Sequence, residues 1–256
     1  MGECGDIALM LFLISAIGLY YTTEKQDVFV DDFKTKIIPK ILQHISPAAN
    51  YQPQKYLSKK EYKSSGLFRR RFTQYDGEDY WQANYKGLDF HCSELMVRYE
   101  DATTATTIFK GLFITAGISP YYSSGTYIWP KGDAQLAGSI ADEHYRMYPM
   151  AEVQRYPIED LSFSSHFTVY STNFSETRQL LTGDRLKNML VLKERTGRDV
   201  RFSFTGGKCF ISLAMDEDLL EPSTSRLTDK SAYKEYFFTF LLVFNIIREL
   251  ELDKLR

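Results

Sequence analysis

The most regular alternation of apolar and polar positions lies in residues 167–214, where it predicts a strand, two helices and a hairpin. Residues 167–170 are β-branched or aromatic, as a half-buried strand requires. Asn173 and Thr182 each precede a helical pattern, and their side-chain oxygens can accept hydrogen bonds from the first turn. Gly197 follows the longer helix and can take the left-handed conformation that ends it. This unit predicts an α+β fold.

The hairpin in this unit is predicted to turn at Gly206 and Gly207, because glycine tolerates the positive φ angles of a two-residue loop. That loop sets a register in which all apolar positions share one face of the sheet. A slip of one residue would turn them to the other face, so the register is well specified. The predicted pairs are Val200 with Leu213, Phe202 with Ile211, and Phe204 with Cys209.

A second hairpin is predicted around Lys86 and Gly87, again by a register that gathers apolar residues on one face. Extending this register by two residues places Asp79 opposite Glu94 on the same face. The alternative, which is the simpler interpretation, is that the ladder frays before Asp79, leaving it in the turn of residues 76–78, and that Glu94 pairs with an arginine. The pairs that define the register are Tyr85 with Leu88, Ala83 with Phe90, and Trp81 with Cys92.

Asp79 and Glu94 form the one polar cluster that the pattern singles out. Two facing carboxylates repel each other unless they are paired, protonated or bridged by a cation. Arg178, from the central unit, is the preferred partner, and an arginine or lysine there would lower both pKa values. We then expect Glu94→Gln to lower the melting temperature, and magnesium or calcium to have no effect. A divalent metal bound by the carboxylates is the alternative. No catalytic, cofactor-binding or metal-ligating residue is assigned.

The N-terminal segment is apolar. Residues 7–23 carry no charge and are just long enough to cross a bilayer, with Tyr20 and Tyr21 suited to its interface. A buried helix and a cleaved signal peptide are the alternatives, although no basic residue precedes the run. Lysines follow the run and none precedes it, so a membrane anchor would leave the main domain in the cytoplasm.

The next segment, residues 30–45, has apolar positions at helical spacing, with Lys34, Lys36 and Lys40 largely opposite them. Pro39 should kink this helix, because proline lacks the amide donor. The apolar stripe could dock on the protein's own domain or lie on a membrane surface. Near the other end of the chain, residues 233–252 predict a buried helix rather than a second span, since charges flank the apolar run closely.

Composition narrows the possibilities further. The net charge is −2, with 31 basic and 33 acidic residues, so nothing favours a nucleic-acid partner. Cys4, Cys92 and Cys209 cannot form a disulfide framework, and the last two are predicted to be buried free thiols. The predicted organisation is an anchor (1–24), an amphipathic connecting helix (25–50) and a domain (51–256) of antiparallel hairpins packed with helices.

Several short motifs occur in order along residues 30–250. They are Ser65-Gly-Leu-Phe68, Gly77-Glu-Asp79, Ser93-Glu94, Phe109-Lys-Gly-Leu-Phe113, Val169-Tyr-Ser171, Glu176-Thr-Arg178, Leu180-Leu-Thr182 and Arg201-Phe-Ser-Phe204. Together they resemble the bacterial DUF3137 family, sometimes labelled galanin-like, and their order is the stronger signal, since each alone is moderately specific. The resemblance implies a membrane-associated protein, commonly with two N-terminal spans, for which no activity is established; this chain shows one possible span.

Two classes of function remain open. The sequence has no P-loop, no Gly-x-Ser-x-Gly, no His-Glu-x-x-His and no Cys-x-x-Cys, and its four histidines are dispersed. This favours a non-enzymatic module at the inner membrane that binds a protein or lipid partner and needs no cofactor. The alternative is a hydrolase that uses Asp79 and Glu94, with or without a divalent metal. A third ligand near both carboxylates would favour the hydrolase.

Overall fold

The computed structural model describes residues 28–132, 153–221 and 230–256, which form an α+β fold around a nine-stranded antiparallel sheet. The strands lie in the order β1-β2-β3-β4-β9-β8-β5-β7-β6. The predicted fold class is therefore confirmed in this part. The strands are β1 (Asn50–Gln52), β2 (Gln74–Tyr85), β3 (Leu88–Glu100), β4 (Ala105–Gly117), β5 (Thr126–Pro130), β6 (Gln154–Tyr156), β7 (Phe167–Ser171), β8 (Val200–Thr205) and β9 (Lys208–Ala214).

Helices cover both faces of the sheet. The first is described from residue 28, and a short 3₁₀ helix, Leu252–Leu255, follows the last. The helices are α1 (28–36), α2 (Ile38–Ile45), α3 (Lys59–Ser64), α4 (Leu161–His166), α5 (Phe174–Leu180), α6 (Gly183–Thr196) and α7 (Lys230–Glu249). Within the described ranges, no helix combines the length and the apolarity needed to cross a bilayer. The predicted span, residues 7–23, lies outside them.

The β8–β9 hairpin has the predicted register, with Phe202 opposite Ile211. Gly206 and Gly207 form its turn with φ angles of 59° and 71°, which a side chain would disfavour. Cys209 is buried opposite Phe204 as a free thiol, as expected. Turn chemistry and the period-two pattern were thus enough to define this hairpin.

The β2–β3 hairpin has the predicted pairs from Tyr85 to Trp81, but the register shifts between Glu78 and Trp81. Beyond this bulge Glu78, and not Asp79, lies opposite Glu94. The strand then continues to Gln74, so the alternative of a frayed ladder is wrong as well. A bulge inserts an extra residue on one strand, which the alternating pattern cannot reveal.

Two apolar cores lie on opposite sides of the sheet, because successive strand residues point to alternate faces. The larger core joins the Phe90 side of the sheet to helices α1, α2, α4, α6 and α7. The smaller core joins the Phe113 side to α3, where Tyr62 is fully buried. Helix α7 contributes Phe240 and Ile247 to the larger core, so the predicted buried C-terminal helix is confirmed.

The predicted helix over residues 30–45 is two helices in the structure. The helix is interrupted at Ile37, which keeps right-handed helical dihedrals, and α2 begins with Pro39 in its first turn, where the missing amide costs little. Ile38 and Leu42 pack in the larger core, so this stripe docks on its own domain. The prediction that Lys34 lies largely opposite the apolar stripe is wrong, since its side chain is buried.

The caps of the central unit are largely as predicted. Asn173 accepts hydrogen bonds from the first-turn amides of α5, and Thr182 accepts one from the Arg185 amide at the start of α6. Gly197 ends α6 at a φ of 62°. Glu176, in the first turn of α5, accepts a hydrogen bond from the Ser124 amide, because a loop passes over it.

One connection contains elements that the pattern did not predict. Residues 132–165 lacked a clear period, yet β6 and α4 occur within their described part. Strand β6 has only three residues, and α4 is a six-residue helix capped by Asp160. Elements this short show too few repeats for a period to emerge. The rest of this connection, 133–152, lies outside the described residues.

Candidate functional site: a buried lysine among carboxylates

The bulge in β2 turns Asp79 away from the ladder and into the larger core. Its amide donates to the Pro53 carbonyl at 2.7 Å, and the next amide, of Tyr80, donates to the Lys55 carbonyl at 2.9 Å. Asp79 has a φ of 55°, which aspartate tolerates better than most residues. The segment before α3 therefore holds Asp79 in a conformation that a regular strand would not allow.

Lys34 of α1 reaches this position and meets three carboxylates. Its Nζ lies 3.0 Å from Asp79 Oδ2, 2.7 Å from Glu78 Oε2 and 2.5 Å from Glu221 Oε1. Lys34 and Asp79 are buried, whereas Glu78 and Glu221 are partly exposed at the rim. The ion pair between Lys34 and Asp79 is thus the desolvated centre of the cluster, and it joins α1 to the sheet.

Tyr51 completes the environment of Asp79 by donating its hydroxyl hydrogen bond to Oδ1. Burial raises the pKa of Asp79 to about 6, against the opposing effects of Lys34 and Tyr51. Burial lowers the pKa of Lys34, but attraction to Asp79 and the other carboxylates outweighs it, and the net pKa is raised. Burial, with the negative charge of Asp79, also raises the pKa of Tyr51. Lys34 therefore stays charged at neutral pH.

Glu94 lies on the neighbouring strand β3, on the face that Cys92 also occupies. Its carboxyl oxygens accept from the Leu219 amide at 3.1 and 3.3 Å, so the segment before α7 crosses above it. Burial and the nearby charge of Asp79 raise the pKa of Glu94 to about 8, although the Leu219 hydrogen bond opposes this. Burial and the same two carboxylates raise the pKa of the Cys92 thiol. Glu94 is therefore mainly protonated at neutral pH.

Arg178, the partner expected for the carboxylates, is exposed on α5, and the cation at Asp79 is Lys34. Lys34 acts to lower the pKa of Asp79, as expected of a cation there, but burial outweighs it and the net pKa is raised. The pKa of Glu94 is raised by burial and by the charge of Asp79. One signal in the sequence could have identified Lys34. It precedes Ile38 by four residues and Leu42 by eight, so it lies on their helical stripe.

The cluster has little room for a ligand. A cleft of about 40 Å³ beside Glu94 is lined by Gly77, Glu78, Lys110 and Asp218, among others. Sites for small molecules usually measure about 300–1,000 Å³. In the described part of the chain, no group of three or more histidine, cysteine or acidic residues is arranged to hold a metal ion. The cluster around Lys34 can therefore position α1 on the sheet.

A second feature is a groove between α2 and α7, with a volume of about 540 Å³. Ile37, Ile41 and Phe237 supply its apolar wall. Its polar lining residues are Lys40, His44 and Lys234. The His44 ring lies 6.4 Å from the Phe237 ring, which connects the two helices across the groove. The lining of this groove thus combines apolar and basic side chains and includes no carboxylate.

Comparison with known proteins identifies the class of this α+β chain. A family model described as "Protein of unknown function (DUF3137)" matches residues 107–252. The chain belongs to the DUF3137 family, which confirms the resemblance in this region. Lys34, Asp79 and Glu94 lie before the matched residues, so the family match does not include the centre of the cluster.

A search of solved structures returns the mycobacterial trehalose monomycolate transport factor A, TtfA, at a TM-score of 0.40 and 8% identity. The alignment covers 84% of this chain and 97% of that one. No curated protein matches the chain at a significant level. The likeness to TtfA is too distant to carry an argument about this protein.

Proposed function

We propose that this protein is a non-enzymatic module held at the inner membrane of a bacterium, with its main domain in the cytoplasm, where it binds a protein or lipid partner. The observation that supports this most is the docking of Lys34. It follows the apolar run by eleven residues and is bound by Asp79 of the sheet. A span in residues 7–23 would thereby hold the domain at the bilayer without a long linker.

The geometry limits the distance between membrane and domain. Only four residues separate Thr23 from Val28, where the described helix α1 begins. A fully extended chain covers at most roughly 18 Å over those five steps. Val28 would therefore lie within this distance of the end of the span, which suits a module that acts on the membrane surface.

The cluster supports a structural role better than a catalytic one. Asp79 is paired with the charge of Lys34 and accepts a hydrogen bond from Tyr51. Glu94 is mainly protonated because of its raised pKa, and it accepts a hydrogen bond from the Leu219 amide. The adjoining cleft, at about 40 Å³, has room for ordered water but not for a substrate. Buried ionic groups commonly serve to specify one arrangement of packed elements.

Membrane fractionation tests the proposal. The full-length protein is expected to sediment with membranes and to resist alkaline carbonate, whereas a chain that starts at Gln26 should be soluble. The truncated chain keeps α1 and Lys34, so its fold should be intact by circular dichroism. Protease added to sealed spheroplasts should leave the main domain uncut. A full-length protein that stays soluble without detergent would contradict the anchor.

A hydrolase remains the second candidate, because the raised pKa of Glu94 is typical of a general acid. In its metal-dependent form this function predicts that a divalent ion binds near the carboxylates and that the stabilisation grows with the logarithm of ion concentration above the Kd. Thermal unfolding with and without millimolar magnesium or calcium distinguishes that form from the non-enzymatic module. We expect no shift; a rise in melting temperature that Glu94→Gln abolishes would favour the hydrolase.

A further inference from the structure

We propose that the groove between α2 and α7 is a docking surface for a bilayer that contains anionic lipids. The inference rests on the proposed anchoring and adds the face that the domain turns toward the membrane. Amphipathic helices bind at a bilayer interface when an apolar surface enters the headgroup region and cations contact the headgroups. Ile41 and Phe237 belong to the apolar part of this surface, and Lys40 and Lys234 form its cationic part.

A large apolar side chain is exposed beside the groove. Phe238 on α7 is 61% exposed, and its ring lies 6.2 Å from that of Phe237, which lines the groove. Phe238 thus extends the apolar wall, and contiguous exposed apolar surface marks interaction sites more often than apolar residues scattered singly.

The charges at the groove complement an anionic surface. Its lining includes Lys40, Lys234 and His44 and no carboxylate. The acidic residue Asp32 on the neighbouring helix is paired with Lys36 at 2.6 Å. Juxtamembrane lysines are attracted to the anionic lipids of the cytoplasmic leaflet. Lys40 and Lys234 therefore supply positive charge to the surface that we propose.

The position of the groove along the chain favours a bilayer over other occupants. Helix α1 directly follows the predicted span, and α2 follows α1 after a one-residue interruption at Ile37. The distance limit of roughly 18 Å applies to Val28 at the start of α1. The apolar N-terminal segment of the same chain and a second copy of the protein are the other occupants that the experiment must distinguish.

The experiment places a fluorescent NBD group at position 238 of the full chain, reconstituted in vesicles. A Phe238→Cys/Cys4→Ser variant carries the label, since Cys92 and Cys209 are buried. The matched control carries the label at Lys60→Cys on α3, which packs on the opposite side of the sheet. The vesicles contain phosphatidylcholine alone or with phosphatidylglycerol, and a fraction of the lipids carries a nitroxide quencher on the acyl chain.

We expect the nitroxide lipids to quench the label at position 238 and not the label at position 60. Quenching should be stronger in vesicles with phosphatidylglycerol. Adding Lys40→Gln and Lys234→Gln should lower the ratio of docked to undocked molecules about 25-fold. Each lysine near an anionic surface adds about 1 kcal/mol, which is a factor of about five.

Each other outcome contradicts a specific step. An unquenched label on protein that floats with the vesicles keeps the anchor and overturns the docking surface. A label shielded from aqueous iodide yet unquenched by the lipids means that protein covers the groove. Equal quenching in both lipid mixtures, unchanged by the lysine substitutions, overturns the role of anionic lipid. Protein that fails to float overturns the anchoring and with it this inference.

Discussion

Replacing Lys34 with methionine tests the role assigned to the buried ion pair. Methionine keeps most of the apolar length of the side chain and removes the charge that faces Asp79 at 3.0 Å. Breaking a buried pair by removing one partner costs about 3–5 kcal/mol, because the remaining charge is left unpaired. The contacts to Glu78 and Glu221 add little, since both carboxylates are partly exposed and screened by water. We therefore expect a loss of about 3–5 kcal/mol.

Urea unfolding, followed by the fluorescence of the buried Trp81 and Trp129, measures this loss. The matched control is Lys36→Met on the same helix, whose ion pair with Asp32 is exposed and should contribute at most about 0.5 kcal/mol. Adding Asp79→Asn to Lys34→Met should recover much of the stability, because the unpaired charge is then absent. Equal effects of the two lysine substitutions would refute the reasoning.

The pH dependence gives an independent check on the same pair. In the wild type the pKa of Asp79 is about 6, so its carboxylate needs a counterion above that pH and not below it. Lys34 lowers the pKa of Asp79, so the pKa of Asp79 in Lys34→Met is higher than in the wild type. The part of the Lys34→Met penalty that comes from Asp79 should therefore be nearly absent below about pH 6 and grow as the pH rises above it. A penalty that is constant between pH 4 and pH 8 would indicate lost packing, with no contribution from the charge.

Three further predictions follow from other parts of the fold. Glu94 has a pKa raised from 4.5 to about 8, so its contribution to stability is full below about pH 4.5 and is lost as the pH rises to 8. The side chain introduced by Glu94→Gln does not titrate. Thermal scans should therefore show that the stability of this variant relative to wild type rises above pH 5, by about 1.4 kcal/mol per pH unit. A melting temperature below that of wild type at pH 8 would contradict this. Gly111→Ala should impair folding, because its φ is 140° and an added Cβ would lie 2.3 Å from a backbone carbonyl oxygen. The control Gly117→Ala should be tolerated, because an added Cβ there meets nothing within 4 Å. Circular dichroism and expression yield measure both effects. Phe202→Ala should lower the free energy of unfolding in urea by about 3–5 kcal/mol, because Phe202 is buried. Val191 is partly exposed, so Val191→Ala should lower it by about 0.5 kcal/mol or less. Similar losses for the two variants would argue against a packed core at Phe202.

The expected effect of Glu94→Gln on stability at neutral pH differs between the sequence and the structure. From the sequence, Glu94 was expected to be an ionised partner of Arg178, and its replacement was expected to destabilise the fold. The structure gives it a raised pKa and the Leu219 amide, so a neutral acceptor suits the site at neutral pH. The Leu219 amide comes from a segment 125 residues away, which no local pattern indicates.

The sequence by itself determined the features that depend on neighbouring residues. The hairpin turn at Gly206 and Gly207, the register of Phe202 with Ile211, and the Thr182 cap are as predicted. Each follows from a period of two, a demand for positive φ, or a side chain that reaches an amide three residues away. These causes act within a few residues, so they can be recognised in the order of the amino acids.

Only the tertiary structure decided the composition of the buried cluster. Lys34 meets Glu78 and Asp79 across 44 and 45 residues of chain, and the bulge that turns Asp79 inward is held by the Pro53 carbonyl. Such contacts depend on how helices and strands pack. The helical pattern shows the stripe on which Lys34 lies, but it does not show that the carboxylate of Asp79 faces Lys34. The physical reason is that burial and the partner of a buried charge are set by elements distant in sequence, whereas turns, caps and strand register are set by residues that are close.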